Sequence, residues 1–237
     1  MTVQTETESD RILREYERRA REIPPEFYAL SRPANLFSYH GQQRALLAAL
    51  ERSGMIPLDS RRILDIGCGH GQWLCHFETL QARRDNLAAI ELDPRRAAAA
   101  QERFPGADIR VGNATHLAWP DEKFDIVTQS TVFTSILDGP TRVAVAGEML
   151  RVLKPTGVVI WYDFLFDNPR NANVRGIGTK EIRRLFPDCR IHLRRITLAP
   201  PLARRIVPIS WQFARLLEQL RLLNTHYLGV IRKQQRD

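Results

Sequence analysis

Residues 63–71 read Ile-Leu-Asp-Ile-Gly-Cys-Gly-His-Gly, an apolar strand that runs into a tight glycine turn. A helix is expected to begin directly after the turn, near Gln72, and its N-terminus offers free N–H groups. Glycines let the backbone pass close to a ligand, because a Cβ there would collide with it. A dinucleotide fingerprint would need a glycine where Gln72 stands, so a pyrophosphate cradle is poorly supported. The turn therefore predicts a ligand-binding loop of a different kind.

A carboxylate stands at the end of the next apolar strand. That strand is predicted over residues 87–91, and Glu91 follows Gly69 by 22 residues. A carboxylate at this position can accept both hydrogen bonds from a ribose diol. The alternative interpretation is a solvated acid at the end of a strand. The neighbouring glycine turn favours a nucleoside site.

Strand patterns alternate with helical patterns along the chain, which predicts βαβ units and a mainly parallel sheet within a single domain, residues 1–237. The predicted strands are residues 62–66, 87–91, 108–111, 124–129, 157–163, 190–198 and 226–232. The predicted helices outside the central units are residues 9–23, 42–53, 180–186 and 210–223. A loop rich in proline and arginine is expected over residues 199–205.

Five motifs within residues 62–163 resemble those of the class I methyltransferases, which depend on S-adenosylmethionine (SAM). They are LDIGCGHG at 64–71, AIELDP at 89–94, VGNA with LAWPD at 111–121, FDIV at 124–127 and EMLRVLKPTG at 148–157. Asn113 departs from the pattern, since the family usually has aspartate there. Its amide can still address an adenine edge, in a different orientation.

The resemblance implies an α/β fold with a Rossmann-like, doubly wound sheet of seven strands in the order 3-2-1-4-5-7-6, strand 7 being antiparallel. It also implies three parts within the domain: an N-terminal helical lid (1–55), a SAM-binding core (60–163) and an acceptor-side C-terminal part (164–237). We expect residues 32–44 to fold over the cofactor.

SAM is the implied cofactor, S-adenosylhomocysteine is its product, and no metal is expected. Asp65 would orient the glycine turn and the methionine amino group, Glu91 would hold the ribose, and Leu92 would pack on adenine. The remaining implied contacts are Gly67, Cys68, Gly69 and Gly71 along the methionine, Asn113 and Ala114 at the adenine edge, and Gln129 and Ser130 at the methionine end.

A hydroxyl acceptor also needs a general base, whereas an amine only has to be unprotonated. In the implied topology, strand five ends and strand seven begins at the same edge of the sheet. Asp163 and His226 would therefore meet there, and the carboxylate could orient the imidazole. The alternative is that both are cap or loop residues. His40, within the expected lid, is the rival base.

The basic excess is confined to the last third of the chain. Residues 161–237 carry 15 basic and 6 acidic residues, while the rest of the chain is nearly balanced. Such a surplus suggests an anionic partner, and the loops at 167–175 and 199–205 would place their arginines around the acceptor. The alternative is compositional drift, since 31 of the 35 basic residues are arginine.

These observations predict that the chain transfers a methyl group from SAM to a hydroxyl, in preference to an amine. The expected acceptor is a small metabolite, or a glycan or secondary-metabolite intermediate, and it carries a phosphate or carboxylate. The setting expected is biosynthesis in the cytoplasm, without a transmembrane segment. An RNA methyltransferase that uses the basic last third is one alternative. However, residues 129–132 read Gln-Ser-Thr-Val where amino-methylating nucleic-acid enzymes have Asn/Asp-Pro-Pro-aromatic. A catalytically silent SAM-fold binding subunit is the other alternative.

Overall fold

The computed structural model describes residues 7–168 and 171–234, and its centre is a seven-stranded sheet with helices on both faces. The strands are β1 (Ile63–Ile66), β2 (Leu87–Glu91), β3 (Asp108–Val111), β4 (Phe124–Ser130), β5 (Leu153–Phe164), β6 (Cys189–Leu198) and β7 (Asn224–Lys233). The helices are α1 (Glu8–Glu22), α2 (Pro33–Arg52), α3 (Gln72–Thr79), α4 (Pro94–Arg103), α5 (Gly139–Val152), α6 (Thr179–Leu185), α7 (Pro200–Ile206) and α8 (Trp211–Leu220).

The strand order is β3-β2-β1-β4-β5-β7-β6, and β7 runs antiparallel to both of its neighbours. The predicted order and the direction of strand seven are therefore confirmed. Because β7 is reversed, it begins where β5 and β6 end: His226 pairs with Phe164, and Asn224 pairs with Leu198. We call this end of the sheet, where β1, β2, β4 and β5 also end, the carboxyl edge.

The sheet separates two layers of core. Side chains alternate between the faces of a strand, so Trp161 packs with Met149 of α5, while Tyr162 packs with Leu46 of α2 and Trp73 of α3. We call these sides the α5 face and the α2 face. Burial of apolar side chains on both faces explains why the strands read as nearly continuous apolar runs.

Two predictions of local structure are wrong. The helix expected to begin at residue 42 begins at Pro33, because Ala34 and Phe37 are buried against Ala214 of α8 and extend the helix by two turns. The loop expected over residues 199–205 is largely the helix α7. Its two prolines occupy the first turn, where a missing N–H costs nothing.

Candidate functional site

A cleft opens at the carboxyl edge, between the glycine turn, the ends of β2 and β3, the loop after β4, and α1, and its empty space is about 540 Å³ when the solvent at its mouth is included. Among the expected cofactor residues, those that line it are Gly67, Glu91, Leu92, Asn113 and Ala114. The apolar part of its wall includes Ile66, Ile90 and Val132. The glycine turn and the two following strand ends thus meet around one space, as their order along the chain suggested.

The glycine turn has left-handed backbone at its first glycine. Gly67 has a φ of 65°, and a Cβ there would lie 2.6 Å from Cγ2 of Val132 in the loop after β4. The N–H groups of Gly67 and Cys68 donate to the carbonyl of Ile90, at 2.8 and 3.2 Å. The turn is therefore held tightly between β2 and the β4 loop, and only glycine fits this corner.

Glu91 is buried beside the turn. Its Oε2 accepts a hydrogen bond from the N–H of Gly69 at 2.7 Å, and its Oε1 accepts one from the N–H of Asp93 at 3.1 Å. A guanidinium nitrogen of Arg96 lies 3.9 Å from Oε1. A carboxylate has about four acceptor positions, so it retains capacity for further donors. Glu91 both ties the turn to β2 and presents acceptor oxygens to the cleft.

Asp65 lies beneath the turn and is completely buried. Neither carboxylate oxygen has a hydrogen-bond partner among the residues that the structure describes. Burial, together with the nearby Glu91 carboxylate, raises the pKa of Asp65 well above its ordinary value. A buried acid without donors costs folding free energy. The arrangement favours a ligand that brings an N–H donor or a positive charge.

Asn113 makes two hydrogen bonds within the protein. Its Oδ1 accepts from the N–H of Thr115 at 3.0 Å, and its Nδ2 donates to Oγ of Ser9 on α1 at 3.0 Å. The amide thus fixes its own turn and also holds α1. Its expected contact with an adenine edge stays a prediction.

The helix α1, rather than residues 32–44, lies over the cleft. Glu8, Ser9, Ile12 and Tyr16 line it, whereas α2 packs against β6 and β7 on the α2 face. The expected lid at residues 32–44 is therefore wrong. The physical reason is that the buried side chains of those residues pack against α7 and α8, which holds them away from the cleft.

Two residues of the cleft region were missed by sequence reasoning. Tyr16 stacks against Arg96, whose guanidinium carbon lies 4.2 Å from the ring centroid, and burial raises the pKa of Tyr16. The sequence predicted a helix over residues 9–23 but did not show what Tyr16 packs against. Arg96 lies one turn into α4, where nothing in the sequence distinguishes it from Arg95.

Hydrogen bonds to side chains of β4 and β5 hold the loop after β4 in place. Gln129 accepts from the N–H of Val132 at 3.1 Å and donates to the carbonyl of Tyr162 at 3.4 Å. Asp163 accepts from Oγ1 of Thr134 at 2.7 Å and from the N–H of the same residue at 3.2 Å. Neither Gln129 nor Ser130 is among the residues that line the cleft. Gln129 and Asp163 therefore shape this wall from behind.

The expected contact between Asp163 and His226 is wrong. His226 pairs with Phe164, so its ring lies on the α2 face and stacks on Tyr162, with ring centroids 4.7 Å apart and planes 6° from parallel. Asp163 points to the α5 face. Burial raises the pKa of Asp163 to about 7 and lowers the pKa of His226 to about 3. An imidazole that is neutral and stacked, without a carboxylate, is not an oriented base.

His40 is exposed on α2, with its ring 6.1 Å from that of Trp211, and it does not line the cleft. Arg175, Arg204 and Arg205 are exposed, and Arg204 lies over the ring of Phe27 at 4.4 Å. Pro169 and Arg170 of the loop after β5 lie outside the described residues.

Within residues 7–168 and 171–234, no group of three or more histidine, cysteine, aspartate or glutamate side chains is arranged to hold a metal ion. In the same parts of the chain, no helix combines the length and apolarity needed to cross a membrane.

Comparison with known proteins adds independent information. Residues 64–161 match the family described as "Methyltransferase domain". The chain is 27% identical over 168 residues to the 27-O-demethylrifamycin SV methyltransferase of Amycolatopsis mediterranei, covering 65% of this chain and 60% of that protein. It is 33% identical over 108 residues to the ubiquinone biosynthesis O-methyltransferase of Azorhizobium caulinodans, covering 44% of this chain and 40% of that protein.

The chain therefore spans less than two thirds of the length of either curated relative. Among solved structures, an S-adenosylmethionine dependent methyltransferase from Mesorhizobium loti superposes with a TM-score of 0.59 at 16% identity, covering 82% of this chain and all of that one. At this identity the likeness concerns the fold, and it agrees with the strand order described above.

Proposed function

Residues 64–161 match a methyltransferase domain, and from that premise we propose that the chain is a class I SAM-dependent methyltransferase that transfers the methyl group of SAM to a hydroxyl group of a small molecule, in preference to an amine. The observation that carries the proposal is the pair of buried carboxylates, Asp65 and Glu91, on either side of a glycine turn at the carboxyl edge. The roles of individual residues below belong to the same proposal.

The residues present fit the cofactor. Asp65 has two buried oxygens without a described donor, and the methionine ammonium of SAM, directly or through a water, would supply positive charge and N–H donors there. Glu91 has free acceptor capacity for the two ribose hydroxyls. Leu92, Asn113 and Ala114 on the far wall of the cleft would surround the adenine.

When bound, SAM supplies an electrophilic methyl group and its own leaving group. The protein has to hold the acceptor oxygen in line with that methyl group, because orientation accounts for much of the acceleration in such transfers. The loop after β4 forms the wall next to the glycine turn, and Gln129 and Asp163 hold it in place. Helix α1 lines the cleft and would shield the bound cofactor from water.

The acceptor proposal draws on the relatives. The names of both curated relatives quoted above refer to methylation at oxygen, which supports a hydroxyl acceptor. Exposed Arg175, Arg204 and Arg205 follow strands that end at the carboxyl edge, and arginine forks suit a phosphate or carboxylate on the acceptor. A biosynthetic role in the cytoplasm completes the proposal.

The first test is cofactor binding by titration calorimetry with SAM and S-adenosylhomocysteine. Glu91→Gln keeps the size of the side chain but removes its charge and one acceptor oxygen. The loss of charged hydrogen bonds to the ribose should weaken both ligands roughly ten- to hundredfold. Glu102→Gln, on the exposed side of α4, is the matched control and should bind normally. A folded wild-type protein that binds neither ligand would refute the proposed function.

A further inference from the structure

An apolar surface without a cover surrounds α8. Six of the twelve large apolar side chains exposed in the described chain fall within residues 209–223. They form what we call the α8 surface: Ile209, Phe213, Leu216, Leu220, Leu222 and Leu223. Ile209 is 86% exposed and Leu222 is 77% exposed. Isolated apolar side chains on a surface are common, but a contiguous group of this kind marks an interaction site.

The pattern within α8 shows that this surface is additional to the core. Ala214 and Leu217 face inward and pack with Phe37 of α2. Phe213, Leu216 and Leu220 follow one another at helical spacing and form a second stripe that faces outward. Helix α8 therefore has one apolar face that packs against α2 and a second apolar face that is exposed.

The charges around the stripe have one sign. Arg204, Arg205, Arg215 and Arg221 are exposed on α7, on α8 and directly after α8. The only acid between residues 199 and 223 is Glu218, which turns toward α2, where it pairs with Arg44 at 3.3 Å and keeps a side-chain exposure of 13%. Within residues 199–223, the exposed ionic groups are therefore all positive.

The α8 surface lies near the same end of the strands as the cleft, although beside β6 and not beside β1 and β2. Helix α7 follows the end of β6, and Leu223 directly precedes β7, whose first residue pairs with the last residue of β6. Both junctions are at the carboxyl edge.

We propose that the α8 surface docks onto a lipid bilayer that contains anionic lipids. A helix of 10 residues is about 15 Å long, and an apolar stripe with exposed arginines on the preceding helix and directly after its end suits the boundary between head groups and acyl chains. The arginines complement the negative surface potential of such a bilayer.

Two other partners fit less well. A second copy of the chain packed symmetrically on this surface would bring two positively charged surfaces together, which is repulsive. A single-stranded nucleic acid would need aromatic side chains for stacking, whereas five of the six residues of the α8 surface are aliphatic. The proposal is independent of the methyl acceptor and of SAM binding.

Vesicle co-sedimentation of the full chain tests the proposal. The probes are vesicles of phosphatidylcholine alone and of phosphatidylcholine with phosphatidylglycerol, mixed about three to one. We expect binding to the anionic vesicles only, and weaker binding as salt is added. An arginine near such a surface strengthens partitioning roughly fivefold, so Arg205→Gln with Arg221→Gln should weaken it about thirtyfold.

Removal of apolar contact is the second arm. Phe213→Ser with Leu220→Ser should weaken vesicle binding roughly tenfold or more, and both side chains are exposed, so folding should be retained. The matched controls are Arg183→Gln with Arg184→Gln on α6 and Val143→Ser on α5, which are exposed elsewhere and should bind like wild type.

The outcomes separate the alternatives. Equal binding of wild type and the α8 variants to anionic vesicles, or no binding by wild type, would overturn the proposal. The proposal would also be overturned if light scattering showed that wild type is a dimer and that the Phe213 and Leu220 changes convert it to a monomer, and if wild type did not bind vesicles. Titration with S-adenosylhomocysteine on the same variants should be normal, which distinguishes this result from a failure of the methyltransferase proposal.

Discussion

Asp65 should make opposite contributions to folding and to cofactor binding. Its carboxylate is buried, and neither oxygen meets a donor in the described parts of the chain. Replacement by asparagine removes the ionisable group with little change in shape. Since an unsatisfied buried polar group costs about 1–3 kcal/mol, and a charged one more, Asp65→Asn should raise the free energy of unfolding by roughly that amount near neutral pH.

The pH dependence gives the sign of the effect. An aspartate in the unfolded chain has a pKa of about 3.9, and burial raises the pKa of Asp65 well above its ordinary value. Between the two values the folded state binds more protons than the unfolded state, so this residue makes stability fall as pH rises. The stabilisation by Asp65→Asn should therefore be small at low pH and grow until the folded carboxyl ionises.

The assay is thermal unfolding at several pH values, together with titration of SAM. A gain of about 1–3 kcal/mol corresponds to a rise in melting temperature of several degrees for a chain of this size. SAM should bind roughly ten- to hundredfold more weakly, because the contact with its ammonium loses its charge.

Asp125 provides a matched control of opposite sign. It is also buried, but it accepts hydrogen bonds from Lys154 Nζ at 2.9 Å and from the N–H of Arg62 at 3.0 Å. Asp125→Asn should therefore lower the free energy of unfolding and leave SAM affinity unchanged. If Asp65→Asn were less stable than wild type across the neutral range, the reasoning about an unpaired carboxylate would be refuted.

Three further predictions concern the remaining features. Burial lowers the pKa of His226 to about 3, whereas a histidine in the unfolded chain has a pKa of about 6.5. The free energy of unfolding should therefore fall as the pH drops below about 6.5. In urea unfolding at several pH values, the free energy of unfolding of His226→Phe should depend on pH less steeply than that of wild type, by the contribution of about one proton. An unchanged pH dependence in the variant would contradict this prediction. Thr134→Val removes the hydroxyl that donates to Asp163 and should lower the free energy of unfolding by about 1–3 kcal/mol in the same assay. An unchanged free energy of unfolding would show that this hydrogen bond does not stabilise the fold. Generic RNA should bind weakly at physiological salt in a filter assay, and tight binding lost with Arg205→Gln would favour the RNA alternative.

Prediction from sequence succeeded where the physical cause is local. Strands β2 and β3 have the predicted bounds, because short apolar runs between turn residues leave little freedom. It failed for the start of α2, where Pro33 stands at the first helical position but the residues after it were expected to form a lid. Ala34 and Phe37 are helical because they are buried against α8, which is far away in the chain.

The pairing of Asp163 with His226 shows the limit most clearly. Strand order and direction placed both residues at the carboxyl edge, and this was correct. The face on which each side chain lies depends on register, since a shift of one residue reverses every side chain. The register pairs His226 with Phe164 and not with Asp163, and no pattern in either strand determines that choice.

The local sequence was enough to predict the glycine turn and the acid at the end of β2, since each follows from backbone geometry over a few residues, and the order of the strands followed from the resemblance to a known family. The folded structure was needed to show that α1 covers the cleft, that Asp65 has no described donor, and that an apolar stripe on α8 stays exposed. These features are relations between elements distant in sequence. They depend on which faces the packing leaves free, and an amphipathic pattern shows that a face is apolar without showing what, if anything, covers it.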